Sequence, residues 1–389
     1  MTINFNENPP PSLTDGSYFN SAGAGLMSRS VVSAMVDHLH LESMMGSYEA
    51  AAAKSQDLSD LYLAAGQLLG CDPDEIALTG GNTSGWQTAI GAINFSHGDR
   101  ILVGRSEWGG NYAALLHIAH RVGAVVEVIP CNEFGEVCLE QLRAMLDSRV
   151  KLISLTWMPA NGGLINPAAE VGALARANDI TYVLDAAQAV GQIPVNVRQL
   201  GCDVLTAPGR KWLRGPRGTG LMYVRRRFFQ QHVPVMIDQY SAPLVGLKYQ
   251  LREDARRFET SEACVAARVG FGVAIRSALT SDIGSIQRNV FERAERVRNG
   301  LLSISHVRLH DLGRVQSGLI SFSVIGISPG VVKARLMEAG VNVAVNGIAF
   351  TPLDMQARGL IEIVRASPHI HTSDADVDRL IRAVELIAS

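Results

Sequence analysis

The chain has 389 residues, 47% hydrophobic and 19% charged, with a formal net charge of −2. That composition excludes a disordered or fibrous chain and leaves ample apolar material for the two or three domains such a length suggests. Balanced charge argues against a surface built for polyanions, and no unbroken apolar run approaches the ~20 residues of a membrane span.

In chain order, the first fifteen residues are polar, carry Pro9-Pro10-Pro11 and lack the basic and apolar regions of a signal peptide. Five cysteines, at 71, 131, 138, 202 and 264, show no paired spacing. Reduced thiols in a cytoplasmic protein are therefore expected. From about residue 75 to 225, apolar runs occur at Ile76–Thr79, Ile101–Gly104, Val125–Pro130, Leu152–Trp157, Ile180–Asp185, Val204–Ala207 and Gly220–Val224. Helical spacing fills several gaps, at Ser84–Asn94, Asn111–Val122, Glu140–Asp147 and Ala168–Ala177. Continuous apolar strands separated by helices predict an α/β domain with a mainly parallel seven-stranded sheet, covered on both faces. Near residue 258 the texture changes. Helical stretches at Val265–Leu279 and Ile286–Ser303 precede strands at Leu319–Val324 and Val341–Val345. Helices at Pro329–Ala339 and Asp374–Ile387 complete a smaller α+β half. The expected layout is an arm at 1–20 packing on the small domain, a large domain at 21–257 and a small domain at 258–389.

Four strand ends carry the chemistry. Thr79-Gly80-Gly81-Asn82-Thr83-Ser84-Gly85 ends a strand and opens a helix, offering backbone N–H groups and hydroxyls to a phosphate. The same residues also suit an ordinary strand–helix turn. Trp108, in Glu107-Trp108-Gly109-Gly110-Asn111, can stack on a planar ligand or simply cover core. Asp185 ends a strand where open α/β sheets bind ligands, although a lone strand-end Asp equally suits a helix N-cap. Ala187 is small enough to lie beneath a ring, and Gln188 can hydrogen-bond a phenolic oxygen.

The fourth is Lys211, between a strand and the glycine-rich Gly215-Pro216-Arg217-Gly218-Thr219-Gly220. A lone lysine is ordinarily a solvated surface charge. A lysine on such a loop, following an acid at a strand end, is also what pyridoxal 5′-phosphate needs. The amine forms a Schiff base with its aldehyde, and the acid holds its ring nitrogen protonated. Each signal has an ordinary alternative, but their succession at consecutive strand ends is harder to explain that way. The pairs His117/His120 and His369/His371 lack acidic or cysteine partners, so no metal site is expected.

This arrangement resembles the class V aminotransferase branch of the fold type I pyridoxal-phosphate enzymes, over nearly the whole chain. The branch includes cysteine desulfurases, isopenicillin N epimerase, kynureninase-like enzymes and C–S lyases of the ergothioneine pathway. Tyr18-Phe19-Asn20-Ser21-Ala22-Gly23 is similar to its N-terminal run, which places Asn20, Ala22 and Gly23 at the substrate. The resemblance implies that Gly81, Asn82 and Thr83 form the phosphate turn and that Trp108 stacks on the ring. It implies that Asp185 and Gln188 meet the ring nitrogen and phenolic oxygen, that Lys211 carries the cofactor, and that Arg365 clamps the substrate carboxylate.

Departures narrow the reading. Arg210 stands where desulfurases have histidine, so phosphate contacts shift to Arg210 and Thr206. Glu262 stands in place of a phosphate-binding threonine. No cysteine follows Cys264, so the loop Asn346–Asp354 lacks the desulfurase nucleophile. The run Arg210-Lys211-Trp212-Leu213-Arg214-Gly215-Pro216-Arg217-Gly218 looks closest to the C–S lyase and epimerase group; related enzymes also serve lincosamide pathways. The expectation is β-elimination from an S-substituted cysteine or its sulfoxide, by a homodimer with sites at its interface. Epimerisation, transamination and decarboxylation-coupled oxidative deamination remain alternatives. A basic nucleic-acid-binding module around Arg210, Lys211, Arg214, Arg217 and Arg225-Arg226-Arg227 is a remote one.

Overall fold

Branched and apolar residues on seven short strands form one sheet in this computed structural model, which describes residues 16–389. Residues 1–15 of the expected arm lie outside the described residues. From one edge the strands run Ile76–Thr79, Gly220–Val224, Val204–Pro208, Thr181–Asp185, Val150–Thr156, Arg100–Gly104 and Val125–Ile129. All pairings are parallel except those of Gly220–Val224, which is antiparallel to both neighbours. Side chains alternate between faces, as a pleated strand requires. Leu102, Leu184, Leu205 and Leu221 point into one core, while Ile101, Val103, Val183, Val204 and Met222 point into the other. Parallel strands bring Thr156 and Asp185, the last residues of their strands, into register with each other and with Thr206 in mid-strand beside them.

Of three N-terminal helices, Arg29–Met45 and Ser55–Leu69 pack on the helix Val265–Thr280, and Ser47–Ala53 packs on those two. The first is capped by Ser28, whose hydroxyl accepts from Val31 N–H, and ends at Gly46 with φ 94°.

A second sheet holds Val307–Leu309, Ile320–Val324, Glu362–Ala366 and Ala344–Gly347 in that order. Its apolar face (Ile320, Phe322, Val364, Ala366) packs on Val297, Leu301, Val377 and Leu380 from two helices. The first described residues join this half: Ser17–Tyr18 pairs in parallel with Val341–Asn342, and Asn20 bridges to Ser367. A boundary at residue 258 would assign Val265–Thr280 to the smaller half. Its Phe271, Ile275 and Ala278 instead pack in the core of the large sheet. The apolar cores divide within the next helix, Ile283–Leu302, where Ile286 and Val290 belong to one and Ala294, Val297 and Leu301 to the other.

Arg298, on that helix, holds the chain that leads into the strand Ile320–Val324. Its Nε meets Asp311 Oδ2 at 2.7 Å, and its Nη2 donates to the carbonyls of Ser317 and Leu319, both at 2.7 Å. Both side chains are buried. Arg298→Ala would leave a buried carboxylate and two carbonyls without their cation. A loss of about 3–5 kcal/mol is expected, read as a lowered urea midpoint; an unchanged midpoint would contradict this account of the helix.

Candidate active site

The C-terminal strand ends open onto a cavity of about 510 Å³. It is lined by Gly81, Asn82, Thr83, Trp108, Asp185, Ala187, Gln188, Arg210 and Lys211, nine of the ten cofactor positions expected from sequence. Sheet topology explains the convergence, because each of these residues follows a strand in the same sheet.

Among the described lining residues, Asp185 is the one carboxylate. Its Oδ1 accepts from Ala187 N–H at 2.9 Å. Its Oδ2 accepts from Asn82 Nδ2 at 2.9 Å and Asn111 Nδ2 at 2.8 Å. Both asparagine carbonyl oxygens are buried without a partner. Lys211 is held in the loop where its carbonyl accepts from Arg214 N–H. Burial, and then the neighbouring Arg210, lower its amine from the usual 10.5 to about 7, against the opposing pull of Asp185. An amine of that basicity is largely uncharged just above neutrality and is a competent nucleophile.

Trp108 begins the helix Gly109–Val122 and tilts against Phe350, ring centroids 5.4 Å apart. Gly109 permits this approach, since a Cβ there would sit 2.0 Å from the Ala349 carbonyl oxygen. The Asn346–Asp354 loop thus abuts the rim of the cavity. The helix Asn82–Gly91 starts at Gly81 without a side-chain cap. Its first-turn N–H groups and positive dipole end are available to an anion.

Other expected residues sit elsewhere. Thr206 is not in the cavity wall: it lies in the sheet between Asp185 and Met222, its hydroxyl buried and unpartnered. Arg365 and the run Asn20–Gly23 stand behind the wall, because the central strand Glu362–Ala366 holds the guanidinium at that depth. Arg365 donates to Ala160 O at 3.0 Å and to Asn20 Oδ1 at 3.3 Å, and its Nε has no partner. Burial, then Arg210, lower its pKa to about 10. The Gly23 carbonyl accepts from Arg210, and the Ala22 carbonyl accepts from Gln188. The Gln188 amide is committed on both sides, since its Oε1 also accepts from Trp212 Nε1 at 2.8 Å. Asn82 turns its amide to Asp185 rather than outward toward a phosphate.

Within the basic run, Arg214 is 9% exposed and Lys211 faces the cavity, whereas Arg217, Arg226 and Arg227 are exposed. His369 is buried, 3.0 Å from the Trp212 carbonyl and stacked on the Trp212 ring, away from the cavity. His117 and His120 are exposed on their helix. No metal-binding cluster occurs among the described residues.

Sequence reasoning passed over Glu107 and Asn111. Glu107 is wholly buried, and burial pushes its carboxyl up to about 7. The four-residue spacing from Glu107 to Asn111 at a helix start was the available signal.

A narrowed lysine, an acid flanked by two amides, an aromatic lid and a helix N-terminus on one cavity define a pyridoxal 5′-phosphate enzyme of fold type I. The orphaned amide, hydroxyl and guanidinium atoms around the cavity fit a polar cofactor and an anionic substrate. The family model for aminotransferase class V matches residues 17–380, and the chain belongs to that family. It is 25% identical over 386 residues to a probable cysteine desulfurase of Methanothermobacter thermautotrophicus, covering 97% of this chain and 96% of the relative. It is 28% identical over 374 residues to a probable hercynylcysteine sulfoxide lyase of Mycobacterium tuberculosis, covering 95% and 89%. The solved cysteine desulfurase of Thermococcus onnurineus superposes with a TM-score of 0.90 at 26% identity, covering 98% of this chain and 96% of that one. No helix among the described residues is long and apolar enough to cross a membrane.

Proposed function

We propose that the protein is a pyridoxal-phosphate-dependent C–S lyase. It would release sulfur from Cβ of an S-substituted cysteine or its sulfoxide and leave pyruvate and ammonia. The observation that carries this reading is the cavity wall itself: none of the five cysteines lines it, and the loop that abuts its rim presents Phe350. Persulfide formation needs a thiolate, and the described wall of this cavity offers none, whereas elimination needs none. The similarity to a sulfoxide lyase accords with it.

In this reading Lys211 would carry the cofactor, Asp185 would meet its ring nitrogen, Trp108 and Ala187 would enclose its ring, and Arg210 with the helix start at Asn82–Ser84 would hold its phosphate. When bound, the cofactor supplies an electron sink for the charge developing at Cα. The uncharged Lys211 amine takes the Cα proton, a role suited by its lowered basicity. Arg365 holds the substrate carboxylate by giving up Asn20 and using its unpartnered Nε. With that proton gone, the Cβ–S bond breaks as its electron pair leaves with sulfur. Water then hydrolyses the three-carbon fragment.

The test is an assay of cysteine S-conjugates and their sulfoxides for sulfur product plus pyruvate in equal amounts. Absence of both would overturn the elimination reading. Desulfuration of free cysteine is the second reading, favoured by the similarity to desulfurases; its mark would be alanine instead of pyruvate. Epimerisation, transamination and decarboxylative deamination use the same constellation and differ in which bond is cut and where a proton returns.

Arg365→Lys should raise KM about tenfold or more with a smaller change in kcat, because a point charge replaces a planar fork. A KM within twofold of the parent would remove Arg365 from the substrate site. We also propose a cytoplasmic homodimer. Apolar side chains at Met44, Met45, Tyr48, Val235, Met236 and Leu247 are exposed and offer apolar area that a second copy could cover, and a monomer in sedimentation would exclude it.

A further inference from the structure

Behind the lysine and aspartate lies a second buried acid that the reaction as outlined does not use. Glu107 is 0% exposed. Its Oε1 accepts from Thr156 Oγ1 at 2.5 Å, Trp108 N–H at 3.0 Å and Asn111 Nδ2 at 3.1 Å, while its Oε2 accepts from Ser154 Oγ at 3.2 Å. Asn111 Nδ2 also donates to Asp185 Oδ2 at 2.8 Å. The Asn111 amide thus spends both hydrogens on two different carboxylates, and its oxygen has no partner. An amide between two acceptors can present only its nitrogen to them. Glu107 removes the alternative in which Asn111 turns its oxygen toward Asp185 and repels it. The same Oε1 accepts from the backbone N–H of Trp108, from which Thr156 Oγ1 also accepts at 3.2 Å, so one carboxylate and the hydroxyl it holds anchor the residue placed over the ring, and the carboxylate also anchors the amide that aligns the acid.

We propose that Glu107 is a positioning residue for Asp185 and Trp108, acting on the first through Asn111 and on the second through its backbone N–H. Its effect on cofactor binding is both geometric and electrostatic. The geometric part needs an acceptor at Oε1; the electrostatic part needs charge. This inference rests on the reading that Asp185 faces the cofactor ring.

The two parts separate in two variants. Glu107→Gln keeps an acceptor for Thr156, Trp108 and Asn111 and offers its new amide to Ser154, but carries no charge. Glu107→Ala removes the acceptor. The titratable groups facing Glu107 are Asp185 and Tyr182, both on the strand Thr181–Asp185; Ser154, Thr156 and Asn111 from the other elements do not titrate. Since burial raises the carboxyl to about 7, Glu107 is neutral at pH 6 and charged at pH 8. Its charge then reinforces Asp185 against a cationic ring nitrogen only at the higher pH.

The experiment is equilibrium titration of the apoprotein with pyridoxal 5′-phosphate at pH 6 and pH 8, followed by absorbance, for the parent, E107Q, E107A and D185N. E107A should bind about tenfold more weakly at both pH values. E107Q should match the parent at pH 6 and bind about three- to tenfold more weakly at pH 8. Comparison at each pH cancels the titration of the cofactor itself. Parent-like affinity of both variants at both pH values, with D185N weakened, would overturn the role of Glu107 alone. Parent-like affinity of D185N would overturn the placement of Asp185 instead. Equal weakening of E107Q and E107A at both pH values would show a merely structural group and also overturn the proposal.

Discussion

Lys211→Ala should abolish turnover, with a loss of about a thousandfold or more, the range expected when a nucleophile and proton acceptor are removed together. The protein should also lose the visible absorbance of lysine-linked cofactor while remaining folded. Burial disfavours the charged form of this amine, so removing it relieves a desolvation cost wherever the amine would be protonated, and the denaturation midpoint should hold or rise below pH 7. In the parent, capture of pyridoxal 5′-phosphate should depend on pH with a midpoint near 7. Below it the amine carries a proton and cannot attack; above it the amine is free, because burial and Arg210 have brought it down from 10.5. A midpoint still near the ordinary lysine value would contradict the burial and charge described for the site.

Asp185→Asn should be nearly as damaging, by about a hundred- to a thousandfold in kcat. The substitution keeps the shape but replaces an acceptor carboxylate with an amide that cannot stabilise a positive ring nitrogen. It also sets a third amide against Asn82 and Asn111, both of which now donate to Oδ2. Cofactor should dissociate more readily and substrate KM should change little, since Arg365 is untouched. A variant retaining more than a tenth of the parent kcat would place the ring nitrogen elsewhere.

Much of this was readable in the chain. Strands announced themselves where apolar residues ran unbroken into Gly, Asp or Thr, and the order of Asn82, Trp108, Asp185 and Lys211 fixed which strand ends had to converge. The N-terminal helices escaped notice because Arg29–Met45 carries a weak amphipathic pattern, with only Val31 and His38 buried. The strand holding Arg365 was hidden inside a run also readable as loop, although Ile363 and Val364 are buried at its centre. Glu107 was overlooked for a physical reason: a glutamate in sequence suggests solvent. Only register shows that Thr156 and Ser154 of the neighbouring strand, with Asn111 one helical turn on, satisfy it in the core. The depth of Arg365, Thr206 and Asn20 depends on the packing of the two sheets, which no local pattern encodes.

The most direct test of the account is chemical trapping at Lys211. The protein loaded with pyridoxal 5′-phosphate is reduced with borohydride, digested, and its peptides weighed. Of the five lysines at 54, 151, 211, 248 and 333, the account predicts a stable pyridoxyl adduct on Lys211 alone, at about one per chain and lost when substrate amino acid is added before reduction. An adduct spread over the other four, or a Lys211 peptide of unmodified mass, would contradict it.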